Sequence, residues 1–135
     1  MSRNLRHILI VEDNQDVRGI LKSMLELWVD DLEMTVEIHE TSNGSKAIEW
    51  ITKSGMPDIL LLDVRMPVMN GAQLLRHLAQ QGDVSLNKRT LLLTGYADDL
   101  EEHLGTDALL IPHLRKPFTA PELFNKMNHI LEHIS

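Results

Sequence analysis

The chain has 135 residues, a length that suits one folded domain and leaves no room for two. Apolar residues make up 43% and charged residues 24%, so independent folding around a core is expected. The net charge of -7 disfavours non-specific binding to DNA or RNA, and the lack of cysteine excludes disulfide scaffolds, Cys-ligated zinc, iron–sulfur clusters and thiol catalysis.

Short apolar runs alternate with longer segments of helical periodicity, which predicts an α/β fold with a parallel sheet buried on both faces. The first run, His7–Val11, is predicted as a strand. It is too short for a secretory signal or a membrane span, so a cytoplasmic location is expected. A helix follows, with Asn14 as its N-cap. Its predicted apolar face comprises Val17, Ile20, Leu21, Met24, Leu25 and Trp28.

The second pair of elements begins with Thr35–Glu40, whose alternating pattern predicts a half-exposed edge strand. The helix after it ends near Gly55, and its inward residues are Ala47, Ile48 and Ile51. The third strand, Ile59–Leu62, ends abruptly in Asp63. A third helix then presents Leu74, Leu75 and Leu78.

The last part of the chain predicts two more strands, Thr90–Leu93 and Ala108–Ile111, with a short polar helix around Asp98–Leu104 between them. The final helix opens with a capping box from Thr119 to Glu122. Its inner face comprises Leu123, Phe124, Met127, Ile130, Leu131 and Ile134. We expect one domain over residues 1–135, with no output domain in this chain.

The strand ends carry the chemistry, because ligands of open α/β sheets bind outside the carboxyl ends of the strands. Glu12 and Asp13 follow the first strand, Asp63 the third, Thr94 the fourth and Lys116 the fifth. If the sheet is parallel, these side chains converge on one cleft. Three carboxylates and one ammonium carry a net formal charge of -2 there. Because neighbouring carboxylates repel one another, a divalent cation is expected, and hard oxygen ligands favour Mg²⁺.

The same residues suit phosphoryl chemistry. A carboxylate such as Asp63 can act as a nucleophile and form an acyl phosphate. Mg²⁺ and Lys116 would supply positive charge around the transferring group, and Thr94 would supply a hydroxyl hydrogen bond. Gly95 beside it keeps room for a phosphoryl group.

Four motifs carry a family resemblance: ILIVED at 8–13, PDILLLDVRMPVMNG at 57–71, LLLTGYA at 91–97 and RKPF at 115–118. In this order they resemble the receiver domain of two-component response regulators over essentially the whole chain. The resemblance implies a flavodoxin-like (βα)5 three-layer sandwich, with a five-stranded parallel sheet of order 2-1-3-4-5.

The resemblance also implies roles for individual residues. Asp63 would be the phosphorylated aspartate, Thr94 the hydroxyl that moves toward the phosphoryl group, and Lys116 the lysine that contacts it. The implied Mg²⁺ ligands are three carboxylates and a backbone carbonyl, those of Glu12, Asp13, Asp63 and Arg65. The peptide bond before Pro117 would be cis.

As a receiver, the chain would take its phosphoryl group from a sensor histidine kinase or a histidine phosphotransfer protein. It would catalyse its own phosphorylation and dephosphorylation without turning over external substrates. The expected output is a changed surface around the fourth helix, fifth strand and fifth helix. That surface would act on a downstream protein or a fused kinase or output domain, without direct contact with nucleic acid or membrane.

Two other functions compete. The first is a pseudo-receiver that keeps the fold as a protein-interaction module without phosphorylation. The intact Asp63, Lys116 and acidic pair argue against it. The second is a phosphatase or phosphotransferase, which in similar folds commonly has a second Asp two residues after the nucleophile. That position is Arg65, which argues against turnover.

Several residues depart from the family pattern or invite another interpretation. His113 stands three residues before Lys116, where many receivers have Tyr or Phe, so the sequence does not decide between the usual Thr-plus-aromatic switch and an altered one. Tyr96 is a candidate for an alternative readout or an effect on hydrolysis. His129 and His133 have i, i+4 metal-ligand spacing but lack a third ligand, which favours a solvated helix face. The remaining candidates for surface histidines are His39 and His77.

Overall fold

The computed structural model describes residues 6–66, 69–80, 86–95 and 111–134. They form a five-stranded parallel sheet of order β2-β1-β3-β4-β5. The strands are β1 His7–Val11, β2 Glu37–Thr41, β3 Ile59–Asp63, β4 Thr90–Thr94 and β5 His113–Arg115. The helices are α1 Gln15–Leu32, α2 Gly44–Ser54, α3 Gly71–Ala79 and α4 Ala120–Ile134, with a 3-10 turn at Leu86–Arg89. The predicted flavodoxin-like architecture and strand order are confirmed.

Two apolar cores cover the two faces of the sheet, which makes the domain three-layered. One core packs α1 and α4 against alternate strand residues that include Ile8, Ile10 and Leu61. The other packs α2 and α3 against residues that include Leu9 and Leu62. Burial of one such side chain contributes about 1.5–3 kcal/mol, so the two cores stabilise the sheet from both sides.

The strand register brings the carboxyl ends of the central strands level. Val11 pairs with Leu62, and Leu62 pairs with Leu92. Asp63 pairs with Leu93, so Thr94 extends one residue further, and Thr94 itself pairs with Arg115. The residues that follow β1, β3, β4 and β5 therefore meet at one edge of the sheet.

The predicted helix starts are confirmed. The Asn14 side chain accepts hydrogen bonds from the N–H groups of Asp16 and Val17, at 3.0 and 3.1 Å. Before α4, the Glu122 N–H donates to the Thr119 hydroxyl at 3.3 Å, and the Thr119 N–H donates back to the Glu122 carboxylate at 3.1 Å. These bonds satisfy backbone donors that the first turn of a helix leaves without partners.

The predicted inner face of α1 is wrong at one position, since Ile20 is 56% exposed. Leu21, Leu25, Trp28 and Val29 form the buried side, and Ile20 lies about 100° around the helix from Leu21. Trp28 also donates through Nε1 to the Asn128 side chain at 2.8 Å, which joins α1 to α4.

The fifth strand was predicted too early. It occupies His113–Arg115, whereas Ile111 lies in a bend and residues 108–110 are outside the described residues. Of the three residues in β5 only Leu114 is buried, so the strand lacks the apolar run that marks β3 and β4. The predicted helix around 98–104 and Tyr96 also lie outside the described residues.

Three further observations complete the fold. β2 begins and ends slightly later than predicted, at Glu37–Thr41, and is an edge strand as expected. The bond between Lys116 and Pro117 is cis, also as expected. Within the described part of the chain, no helix combines the length and the apolar character that crossing a bilayer requires.

Candidate functional site

Three carboxylates meet at the carboxyl edge of the sheet. Asp63 is the last residue of β3 and is 5% exposed, and Glu12, directly after β1, is 1% exposed. Asp13 is exposed beside them. One oxygen from each of the three lies within 4.8 Å of the others. The cluster predicted from the strand ends is therefore present.

Lys116, which directly follows β5, contacts this cluster. Its Nζ lies 2.8 Å from Glu12 Oε1 and 3.4 Å from Asp63 Oδ1. Its backbone N–H donates to the carbonyl of Thr94 at 2.7 Å, and Thr94 itself is buried. The structure thus brings Glu12, Asp13, Asp63, Thr94 and Lys116 to one edge.

The donor set fits Mg²⁺. Among the side-chain atoms of the described residues, Glu12 Oε2 is buried and has no hydrogen-bond partner. A buried acceptor without a partner is unfavourable, so a cation beside it would supply the missing interaction. The surrounding ligand atoms are carboxylate oxygens, which Mg²⁺ prefers. A second group of possible ligands, His7, Glu37 and His39, contains two imidazoles and so has a different donor set.

The electrostatics of the cluster follow from burial and crowding. Burial, and next the neighbouring Glu12, raise the pKa of Asp63 to about 7, although Lys116 acts in the opposite direction. Burial and Glu12 also raise the pKa of Asp13. Burial would lower the pKa of Lys116, but the carboxylates of Glu12 and Asp63 outweigh it, so the net shift is upward.

Glu12 behaves differently from its neighbours. Burial acts to raise the pKa of Glu12, yet hydrogen bonding with Asp63 and Lys116 outweighs burial and lowers it. The Lys116 ammonium is therefore paired most closely with an ionised Glu12. A proton is retained most easily on Asp63, and a bound cation would favour its release.

Two positions that shape the site were not singled out from the sequence. A Cβ atom on Gly71 would lie 2.7 Å from the backbone oxygen of Asp63 and 3.1 Å from Val64 Cα. Gly71 therefore permits α3 to begin directly against the end of β3. In addition, Arg18 Nη1 donates to the Glu12 carbonyl at 2.8 Å, which connects α1 to the acidic pair. The Asn-Gly pair at the start of α3 was the available signal for Gly71.

The remaining candidates from the sequence are Arg65 and the histidines. Arg65 is exposed two residues after Asp63. His113 is half-buried, with Nδ1 3.2 Å from the Ile111 carbonyl. His129 and His133 are both exposed on α4, as predicted. His39 and His77 are both half-buried, and the His39 ring lies 4.7 Å from that of Trp50.

Comparisons with known proteins show the family and the fold of the chain. A family profile described as the response regulator receiver domain matches residues 8–128. The response regulator MprA of Mycobacterium ulcerans is 36% identical over 124 residues, which cover 92% of this chain and 49% of that protein. The probable transcriptional regulator ycf27 of Cyanidium caldarium is 26% identical over 98% of this chain and 49% of its own length.

A solved structure shows the same fold. A response regulator receiver domain protein from Clostridium thermocellum superposes with a TM-score of 0.77 at 23% identity, covering 96% of each chain. The chain spans about half the length of the curated relatives it matches. Since the family profile covers most of the sequence, this chain belongs to the response regulator receiver domain family of two-component systems.

Proposed function

We propose that the chain is a phosphoacceptor switch, in which Asp63 accepts a phosphoryl group from a phosphohistidine in a Mg²⁺-dependent reaction. One arrangement carries this proposal. A buried carboxylate at the end of β3 lies 3.4 Å from the ammonium of Lys116 and within reach of two further carboxylates.

The chemical step needs an ionised nucleophile. An Asp63 oxygen attacks phosphorus and a P–O bond forms, while the P–N bond breaks and its electron pair returns to the imidazole of the donor. With a pKa of about 7, Asp63 is only partly ionised near neutral pH. Lys116, 3.4 Å away, already lowers this pKa, and a bound cation would increase the ionised fraction further.

The neighbouring residues position and neutralise the phosphoryl group. Lys116 would exchange part of its contact with Asp63 for a phosphoryl oxygen, and the Thr94 hydroxyl would donate a hydrogen bond to another. The proposed Mg²⁺ ligands are the three carboxylates and one backbone carbonyl, those of Glu12, Asp13, Asp63 and Arg65. When bound, the ion supplies neutralisation of the charge that develops on the transferring group.

The proposed partners follow from this role. A sensor histidine kinase or a histidine phosphotransfer protein would donate the phosphoryl group, and a downstream protein or a fused domain would sense the result. The curated relatives are about twice as long as the chain, so an output domain in the whole protein is compatible with this proposal. Residues 1–135 would act as one receiver unit within it.

The test uses a matched pair of aspartates at the two ends of β3. Asp63 ends the strand, whereas Asp58 precedes it and accepts hydrogen bonds from the N–H groups of Arg6 and His7, each at 2.9 Å. The purified chain is incubated with Mg²⁺ and acetyl phosphate, and intact mass is measured. We expect one added phosphoryl group in the wild type and in Asp58→Asn, and none in Asp63→Asn.

Three outcomes would contradict the proposal or its metal requirement. No mass gain in a folded wild-type chain, with either acetyl phosphate or phosphoramidate as donor, would favour the pseudo-receiver alternative. A mass gain that persists in Asp63→Asn would place the modification at another residue. Repeating the reaction with EDTA tests the metal requirement, and an unchanged rate would remove Mg²⁺ from the mechanism.

A further inference from the structure

A second group of possible metal ligands lies at the end of the sheet where β1 and β2 begin. His7 opens β1, and Glu37 and His39 belong to the adjacent edge strand β2. His7 pairs with Glu37 in the parallel register, and His39 lies two residues further along. Because strand side chains alternate with a period of two, all three point to the same face of the sheet.

The distances among the three ligand atoms are similar. His7 Nδ1 lies 3.1 Å from His39 Nε2 and 3.4 Å from Glu37 Oε2, and His39 Nε2 lies 3.5 Å from the same oxygen. Zinc bonds of about 2.0–2.2 Å at tetrahedral angles separate neighbouring ligands by about 3.3–3.6 Å. Right-angled coordination would bring them to about 3.0 Å. The triangle is therefore close to one face of a zinc tetrahedron.

The surroundings hold this triangle in place. The Asp58 carboxylate accepts the His7 N–H at 2.9 Å, and the Glu37 N–H donates to the Arg6 carbonyl at 2.8 Å. The ring of Trp50, from α2, lies 4.7 Å from the His39 ring and 6.4 Å from the His7 ring. Ligands held by strand pairing and by a packed aromatic ring require little rearrangement to bind an ion.

The site also has an open side. The side chains of His7, Glu37 and His39 are 42%, 66% and 28% exposed. A fourth ligand such as water could therefore reach a bound ion. Two histidines and one glutamate with an open position are a donor set found in zinc proteins, whereas Mg²⁺ selects oxygen ligands.

We propose that His7, Glu37 and His39 form a tetrahedral site for a divalent transition metal ion, with Zn²⁺ as the probe, at the amino edge of the sheet. The proposal does not depend on phosphorylation of Asp63, because the two sites use different residues at opposite ends of the strands. Without an ion, the two imidazole nitrogens can share only one proton between them. A metal ion would bind both nitrogens and the Glu37 carboxylate at the same time, and would therefore cross-link β2 to β1.

The experiment is a Zn²⁺ titration of the full chain by calorimetry, with Mg²⁺ in large excess to occupy the carboxylate cluster around Asp63. Titration with Co²⁺ in parallel reports geometry, because four-coordinate Co²⁺ absorbs visible light far more strongly than six-coordinate Co²⁺. We expect one equivalent of Zn²⁺ to bind, strong Co²⁺ absorption, and a thermal midpoint that rises with Zn²⁺ concentration.

The variants separate this site from the other histidines. His39→Gln and His7→Gln should each weaken Zn²⁺ binding by about 100-fold or more, above the range that loss of an outer contact causes. Glu37→Gln, at the most exposed ligand, is the variant least able to disturb folding and should weaken binding by about 10-fold. The control is the double substitution of His129 and His133 by Gln, on α4, which should change affinity less than about 2-fold.

Three results would overturn the proposal. The first is a wild type that binds Zn²⁺ no more tightly than the folded His7→Gln and His39→Gln variants. The second is binding that disappears in the His129 and His133 control. The third is a weak six-coordinate Co²⁺ spectrum in the wild type. Circular dichroism on each variant ensures that loss of binding is not loss of fold.

Discussion

The two ends of the central sheet carry different chemistry. At the carboxyl end, Asp63, Glu12 and Lys116 form a largely buried cluster of oxygen ligands and one ammonium. At the amino end, His7 and His39 place imidazole nitrogens beside a carboxylate in a half-exposed group. The same five strands thus present one group suited to Mg²⁺ and one suited to a softer ion.

Helix direction explains part of this difference. Each helix that follows a strand runs back across the sheet, so helix N-termini lie at the carboxyl edge, as the Asn14 and Asn43 caps show. The free N–H groups and positive dipole ends there favour anions such as a phosphoryl group. The amino edge faces helix C-termini, whose partial negative charge favours cations.

The largest expected effect comes from removing the Lys116 ammonium at the carboxyl end. Lys116→Met should slow phosphorylation by acetyl phosphate about 10²–10³-fold, because a positioned positive charge next to the transferring group is lost. Arg115→Met, at the exposed neighbouring residue, is the control and should leave the rate nearly unchanged. An equal rate in Lys116→Met and wild type would show that this ammonium does not assist the reaction.

The second effect is a pH-dependent stability that arises from Asp63 at the carboxyl end. Folding raises the pKa of Asp63 from 3.8 to about 7, so below 3.8 the residue is protonated in both folded and unfolded chains. As pH rises, the unfolded chain releases this proton first, and the wild type loses stability until about pH 7. Without metal, Asp63→Asn should therefore gain on the order of 4 kcal/mol at pH 8.

This gain is measured by urea unfolding in EDTA between pH 5 and pH 8. Asp58→Asn is the matched control at the other end of the strand and should not be stabilised, because the Asp58 carboxylate accepts two backbone hydrogen bonds. If the two variants differ from wild type by the same amount at every pH, Asp63 does not carry the expected penalty. Addition of Mg²⁺ should reduce the advantage of Asp63→Asn, because the ion relieves the repulsion.

The third effect concerns the close approach of α3 to the end of β3. Gly71→Ala places a methyl group 2.7 Å from the Asp63 carbonyl oxygen and should destabilise the chain by about 1–3 kcal/mol. Gly19→Ala, inside α1, meets no atom within 4 Å and should stabilise by about 0.5–1 kcal/mol. Thermal unfolding of both variants tests this, and a shift of the same sign in both would contradict it.

The smallest effect belongs to the amino end. Asp58→Ala removes the acceptor for the N–H groups of Arg6 and His7 and should cost about 1 kcal/mol. Phosphorylation of Asp63 should continue at the wild-type rate, because the two ends of β3 are chemically separate. A slowed phosphorylation in a folded Asp58→Ala variant would show that the ends are coupled. Both quantities can be measured on one preparation.

Much of the carboxyl end could be predicted from the sequence. Continuous apolar runs marked β1, β3 and β4, and the polar residues that terminate them, Glu12, Asp63 and Thr94, identified the cluster directly. Asn14 and Thr119 fixed two helix starts through local hydrogen bonds. These features depend on residues close together in the chain, or on one rule for parallel strands.

The amino end could not be predicted in the same way. The contact between His7 and His39 depends on the register of β1 with β2, and residues of separate strands reveal no register in isolation. The sequence prediction misplaced β5 because His113–Arg115 has a single buried residue and no apolar run. The position of this strand is set by its pairing with β4, which the local sequence does not reveal. Ile20 was misassigned because several i, i+3 partners suggested a wider buried stripe than the helix has.

The complete burial of β3 and β4 affects how the register of β3 with its neighbouring strands is determined. Every residue of β3 and β4 is buried, so apolar content alone would tolerate β3 sliding along its neighbours by one position. Asp63 opposes such a slip, because its carboxylate would then move away from Lys116 or into the apolar interior. The residue proposed to receive the phosphoryl group thus also marks where its own strand must stop.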